Sequence, residues 1–122
     1  MNVGDRLGPL VKGPLTTRNL VEYAGASLDF NRIHYDEPFA KAGGHPTVLV
    51  HGMLSMAFLG QLAAKAGVVR ELKARFKAPC YVGDTVTVTG TVEAVEGEIS
   101  IALVARRADG TVILEGAARV TR

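Results

Sequence analysis

The chain has one cysteine, no tryptophan and few aromatic residues, 6% in all. A lone cysteine, Cys80, excludes an internal disulfide framework and any zinc site built on cysteines. It reads as a small buried hydrophobe, which fits a reducing compartment. Charge of one sign is equally scarce: 14 Lys and Arg against 12 Asp and Glu leave a formal net charge of +2. The cationic residues are scattered, and the densest group, Arg70 to Lys77, alternates with apolar residues as a strand does. Nothing there marks a nucleic-acid-binding stripe. The stretch Val48 to Ala64 has no Lys, Arg, Asp or Glu, but it is interrupted by His51, Ser55 and Gln61. It sits at the lower limit for a membrane span, and a buried core helix is the better expectation. MNVGDRLGPL at the start lacks the charged and apolar regions of a secretory signal, so a cytoplasmic protein is expected.

What is present suits one globular domain over residues 1–122: 48% hydrophobic and 21% charged residues supply a core and a soluble surface. The first fifteen residues, rich in Gly and Pro, read as a short strand with turns. Thr16 or Thr17 is placed to cap a helix running to about Ser27, with Leu20, Val21 and Ala24 inward. Residues 29–47 lose all periodicity and contain Pro38, Gly43, Gly44 and Pro46, which predicts a long irregular loop of the kind that carries function. Met53 to Ala66 has strong helix propensity and is apolar nearly all round, predicting a helix buried on most faces and ended by Gly67.

The second half changes period. Val86, Val88, Val92 and Ala94 alternate with polar residues, as do Ile99, Ile101, Leu103 and Ala105, and a third run spans Val112 to Val120. Breaks fall at Gly83-Asp84, Glu96-Gly97 and Asp109-Gly110, the last a hairpin signal. With a further strand over Val69 to Ala78, the expectation is an α+β domain: four consecutive antiparallel strands in a curved sheet wrapped around one long hydrophobic helix.

The segment YAGASLDFNRIHYDEPFA, Tyr23 to Ala40, holds the chemistry. Asp29 and His34 lie five positions apart. On a helix that offset is about 140° around the axis, and on a strand it points to opposite faces. The two meet only if the backbone turns between them, and Asn31, which tolerates left-handed conformations, suits that turn. A carboxylate and an imidazole so joined can hold one water and manage two protons, as addition of water to a carbon–carbon double bond requires. In VLVHGMLSM, Gly52 stands at the start of the apolar helix. Its N–H lacks an intrahelical partner and has the helix dipole behind it, so it can stabilise an enolate oxygen developing on a thioester.

These residues resemble the MaoC-like, R-specific enoyl-CoA hydratase family of hotdog-fold proteins. The match runs from the Asp-x-Asn-x-x-His segment through His-Gly-Met to RFKAPCYVGDTVTVTGTV and the ADGTVILEGAARV tail. The resemblance implies Asp29 and His34 as the catalytic pair, with Gly52 and Asn31 serving the oxyanion and substrate. It implies reversible hydration of trans-2-enoyl thioesters of CoA or acyl carrier protein, with no metal or redox cofactor. It also implies a homodimer or larger assembly, with a heteromer as the variant. Two departures stand out. Leu28 precedes the Asp where the family has a small or acidic residue, and Arg32 follows the Asn where the family has Pro. Arg32 is expected to reshape the turn or to meet an anionic ligand.

Other readings remain open at this level. A hotdog thioesterase would polarise the same carbonyl but attack C1, and a subunit of a hetero-oligomer would show little activity alone. His51 is expected to be a packed histidine orienting the loop. His34, His45 and His51 match no standard metal-ligand spacing, so no metal is expected. Asp36 and Glu37 are expected to be solvated charges, Tyr23 and Tyr35 to pack at the core or rim, and Ser55 to be an ordinary polar helix residue.

Overall fold

The computed structural model describes residues 1–122. In chain order the elements are β1 (Arg6–Lys12), α1 (Thr17–Ser27), a single 3-10 turn (Arg32–His34), α2 (Glu37–Ala42), α3 (Gly52–Ala63), β2 (Val68–Phe76), β3 (Val86–Ala94), β4 (Ile99–Arg107) and β5 (Val112–Thr121). All five strands form one antiparallel sheet in the order β1-β3-β4-β5-β2. The four later strands follow one another in sequence, but β2 does not pair with β3. It crosses to the far side of β5 and becomes an edge.

The period-2 pattern is realised most cleanly in β3 and β4. Val86, Val88, Val92, Ile99, Ile101, Leu103 and Ala105 all point inward and are buried. They pack against Phe58, Leu59, Leu62 and Ala63 of α3 in one continuous core. The Asp109-Gly110 hairpin forms as expected. Gly110 has φ +90°, and Arg107 N–H donates to the Thr111 carbonyl at 2.9 Å across the turn.

α1 starts where its sequence directs. The Thr16 hydroxyl accepts from Asn19 N–H, and the Asn19 side chain accepts from Thr16 N–H, a reciprocal cap. α3 is shorter than its propensity suggests, ending at Ala63. It is also less enclosed than expected, because one stripe, Met53, Ala57, Gln61 and Ala64, faces outward. The sheet covers only one side of the helix, so an all-round apolar helix keeps an open apolar face. No helix in the chain is long and apolar enough to cross a membrane.

Residues 29–47 are not the structureless loop their lack of periodicity suggests. They contain the 3-10 turn and α2, each fixed by a local cap rather than an apolar stripe. Asn31 caps the turn by accepting from Ile33 N–H at 3.0 Å, and Asp36 caps α2 by accepting from Phe39 N–H at 3.2 Å. Elements this short have no room for a hydrophobic period.

Candidate active site

The site is assembled from three short pieces: the α1 C-terminus with the 3-10 turn, the segment before α3, and the end of β2. The first departure from the family pattern starts the construction. Leu28 is the C-cap of α1 and adopts a left-handed backbone, φ 61° and ψ 23°. That conformation ends the helix and redirects the chain so that Asp29 leaves the α1 axis. It is the only non-glycine residue with positive φ. Asn31, which was expected to supply the left-handed turn, instead has φ −58° and turns the chain through its side-chain cap. Asp29 Oδ1 in turn accepts from Asn31 N–H at 3.3 Å.

The turn brings Asp29 and His34 together. Asp29 Oδ2 and His34 Nε2 stand 3.7 Å apart, too far for a direct hydrogen bond. His34 Nδ1 lies 2.8 Å from the Leu49 carbonyl oxygen, which can only accept, so Nδ1 carries the proton. His34 Nε2 therefore presents a lone pair to the carboxylate. Two acceptors facing each other at that separation fit one water donating a proton to each. The clamp on His34 is doubled, because Leu49 N–H donates back to the Ile33 carbonyl at 3.0 Å.

His34 and Gly52 share a cavity of about 350 Å³, whose wall also includes Leu49, Ser55, Phe76 and Cys80. Asp29 is not part of that wall; its half-exposed carboxylate meets the site through His34 Nε2. Gly52 begins α3, and neither a carbonyl nor a side chain of the protein accepts its N–H. A Cβ at this position would lie 3.2 Å from the Phe76 ring, so glycine keeps the approach to that N–H clear. His34 also forms part of a second, apolar cleft of about 190 Å³ with Leu20, Val21, Ala24, Phe30 and Tyr35. A larger cleft of about 540 Å³ between the β1–α1 connection and α3 contains none of Asp29, Asn31, His34 or Gly52.

Arg32 does not stand free for an anion. Its guanidinium holds Asp36 at 2.8 and 3.2 Å and lies 4.6 Å over the Phe39 ring. The Arg32 hydrogen bond holds the Asp36 carboxyl below its ordinary value, helped by the Phe39 N–H. Asp36 is thus a structural cap, and Glu37 pairs with Lys41. Cys80 faces the cavity as an inert thiol, since burial pushes it up to about 12, far from thiolate chemistry at neutral pH.

Sequence reasoning missed how closely His51 approaches the pair. The ring is 1% exposed and stacks on His34 with centroids 3.7 Å apart and planes 19° from parallel. Its Nε2 lies 3.2 Å from the Asp29 carbonyl oxygen, and the Tyr23 ring meets it edge-on at 4.9 Å. Burial holds the His51 imidazole below its ordinary value. The spacing of the histidines carried no sign of this, because ring stacking is set by the tertiary fold. Asp29, His34 and His51 offer ligand-type atoms within 4.8 Å of one another. A metal binds imidazole through the in-plane lone pair, however, and two stacked rings direct those lone pairs along near-parallel planes rather than to one point. Ser55, expected to be ordinary, is buried and forms part of the cavity wall.

Known proteins resemble the chain in sequence and in fold. The chain is 33% identical over 105 residues to an (R)-specific enoyl-CoA hydratase of Rhodospirillum rubrum, covering 80% of this chain and 73% of that protein. It is 29% identical over 125 residues to 3-hydroxyacyl-thioester dehydratase Z of Mycobacterium tuberculosis, covering 95% and 82%. The solved structure of the (R)-hydratase from Aeromonas caviae superposes with a TM-score of 0.86 at 28% identity, over 98% of this chain and 95% of that one. A profile of the MaoC like domain matches residues 2–111, and the chain belongs to that family.

Proposed function

We propose that the chain catalyses reversible addition of water to trans-2-enoyl thioesters of CoA or acyl carrier protein, giving (R)-3-hydroxyacyl thioesters. The relatives named for the hydratase and for the dehydratase describe the two directions of one reaction. The observation that carries the reading is the Asp29–His34 pair, two acceptors 3.7 Å apart beside a cavity lined also by Gly52, whose N–H has no protein partner.

The chemistry follows from those positions. A water between the pair donates one hydrogen bond to Asp29 Oδ2, keeping that proton, and one to His34 Nε2. Its oxygen attacks C3 as His34 takes the second proton, and electrons move through C2 to the thioester oxygen. Gly52 N–H, at the positive end of the α3 dipole, receives the developing negative charge. The His34 imidazolium, stabilised by the Asp29 carboxylate, then delivers its proton to C2. One water is consumed, its hydroxyl on C3 and its proton on C2, and His34 returns to neutral. Asn31 positions the Asp29 carboxylate, and its side-chain N–H₂ is available to the substrate.

The whole chain, 1–122, acts as one hotdog unit paired with another copy of itself. The outer edge of β2 is unpaired, none of its nine residues is buried, and Val68 and Phe76 are exposed on it. The open stripe of α3 adds a further exposed apolar residue, Met53. A regular open edge flanked by exposed apolar residues is a pairing surface. The solved ChsH1-ChsH2 complex of M. tuberculosis, which matches with a TM-score of 0.85 at 26% identity, provides precedent for a heteromer. A single free, buried cysteine is in keeping with the reducing cytoplasm.

The test is product analysis on a crotonyl thioester with the wild type and with Asp29→Asn and His34→Ala. Loss of the enoyl absorbance without release of thiol, slowed about 10²-fold or more in each variant, is the expected result. Release of free thiol would replace the hydratase by a thioesterase, and undiminished hydration in folded variants would remove Asp29 and His34 from the mechanism. Sedimentation equilibrium gives the assembly state, and a fully active monomer would overturn the pairing through β2.

A further inference from the structure

His51 is the one buried titratable group that touches every part of the site without contributing to the cavity wall. It is 1% exposed. Its Nε2 faces the Asp29 carbonyl oxygen at 3.2 Å, its ring lies flat on His34 at 3.7 Å, and it is the residue before Gly52 and the N-cap of α3. The carbonyl can only accept, so Nε2 carries a proton. The other ring nitrogen, Nδ1, is buried and no protein group reaches it. A proton on Nδ1 would be a buried donor without an acceptor, which costs about 1–3 kcal/mol. The neutral Nε2–H tautomer is therefore the one form the surroundings accept.

We propose that His51 is a positioning residue that binds Asp29, His34 and Gly52 into one rigid unit. Its Nε2–H fixes the Asp29 main chain, and its ring holds the His34 imidazole from behind. Its own main chain begins the helix whose first N–H is the oxyanion donor. The role rests on the hydratase reading and deepens it. Asp29 lies in a run, Gly25 to Arg32, whose residues are all exposed and bonded mostly to near neighbours. The bond from His51 ties that run across 22 positions of sequence to a buried anchor. Without it the carboxylate follows the local turn alone, and the 3.7 Å relation to His34 Nε2 is no longer fixed.

The groups facing His51 make its neutrality matter. They are His34 on one face, Tyr23 of α1 at the edge, and Asp29 at Nε2. As His34 becomes an imidazolium during turnover, a neutral ring behind it provides polarisable support, whereas a second cation would repel it. Burial, reinforced by the repulsion of a charged His34, holds the His51 imidazole below its ordinary value and keeps it neutral.

Two variants separate the two contacts. His51→Phe keeps a flat ring against His34 and removes the donor. His51→Gln keeps an N–H donor that can reach the Asp29 carbonyl and removes the ring. In the full-length protein, with crotonyl-CoA as substrate, His51→Phe is expected to lower kcat about 10- to 10²-fold with KM changed less than about twofold. His51→Gln should recover a measurable part of that loss. The independent readout is long-range ¹H–¹⁵N correlation of the wild-type imidazoles, which should give His51 as Nε2–H with a bare Nδ1. An Nδ1–H tautomer overturns the proposal, and so does a folded His51→Phe enzyme with wild-type kcat. If His51→Phe fails to fold, the tautomer decides: an Nδ1–H imidazole overturns the proposal and an Nε2–H imidazole supports it. Wild-type protein that does not hydrate crotonyl-CoA overturns the hydratase reading and this role together. Wild-type hydration that persists unchanged in His51→Phe overturns this role alone.

Discussion

β3–β4 and the segment from Gly25 to Gly52 are built on opposite principles. In β3 from Val86 to Val92 and in β4 from Ile99 to Ala105 every second residue is buried, the two strands share the same alternation, and none of the buried side chains is polar. Each apolar residue there is held by partners far away in sequence. In the Gly25–Gly52 segment, many bonds reach only two to four residues: Ser27 hydroxyl to the Tyr23 carbonyl, Asn31 N–H to Asp29, Ile33 N–H to Asn31, and Phe39 N–H to Asp36. Two longer bonds close the segment on itself, His34 to Leu49 and His51 to Asp29, and a few others tie it to the rest of the protein, notably Val50 N–H to the Cys80 carbonyl, Val82 N–H to the Val48 carbonyl and His45 to Tyr81. Burial makes the sheet stable and chemically silent. Exposure and local polar bonding leave the segment able to present charged side chains to a substrate.

The largest expected effect breaks the sheet and spares the chemistry. Leu103 on β4 is fully buried and packs in the core against α3. Leu103→Ala should cost about 2–5 kcal/mol, a large part of the total stability of a domain of this size. At a temperature where the variant remains folded, kcat should stay within about threefold of wild type. Urea unfolding and initial rates on one sample check both halves. A variant with normal stability and lost activity would reverse the division between the two regions. Asp29→Asn and His34→Ala are the converse: rates fall about 10²-fold while the urea midpoint moves little.

How much of this was legible in the sequence follows the same division. The strands of the second half and the α1 cap could be read because period 2 and a Thr placed ahead of an apolar helical period are local patterns. The pairing of β2 with β5 rather than β3 could not, because strand order is decided by which edges meet after collapse. Within the site, the residue types and their spacing pointed to Asp29, His34 and Gly52. The device that joins them was misjudged. The left-handed turn was expected at Asn31 and lies at Leu28, and Arg32 serves Asp36 and Phe39. His51 was read as packing, and no one-dimensional pattern could have revealed its stacking on His34.

A smaller effect is carried by pH. The folded protein holds the His51 imidazole below its ordinary value of 6.5, through burial first and the nearby His34 second, against the opposing bond to the Asp29 carbonyl. As pH falls through 6.5 the unfolded chain takes up this proton and the folded chain does not, so unfolding is favoured. The stabilising contribution is complete above 6.5 and is lost as pH falls through the lower folded value. Asp36, Glu71 and Asp109, also held low, act in the same direction but further into acid. Thermal unfolding followed between pH 7.5 and 5 should show Tm falling in wild type and a shallower slope in His51→Phe. Equal slopes would mean that His51 protonates in the folded state as readily as in the unfolded.

The smallest expected effect lies at Leu28, the one place where the segment is strained. A leucine in the left-handed region costs about 1–2 kcal/mol relative to a residue without Cβ. Its side chain is 76% exposed, so in the single chain it recovers little by burial. Leu28→Gly removes the strain but gives the unfolded chain more freedom, an offset of about 0.4–1 kcal/mol. The net gain should be about 0.5–1 kcal/mol, visible as a Tm rise of a few degrees. The backbone at Asp29 is unchanged by the substitution, because glycine adopts φ 61° freely, so kcat on a short enoyl-CoA should stay at the wild-type level. A loss of stability in Leu28→Gly would mean that the exposed leucine is covered in the assembled protein, and the urea midpoint would then depend on protein concentration in wild type more steeply than in the variant. A rise in Tm with unchanged kcat instead identifies Leu28 as a tolerated strain at the hinge between a stable helix and a reactive turn.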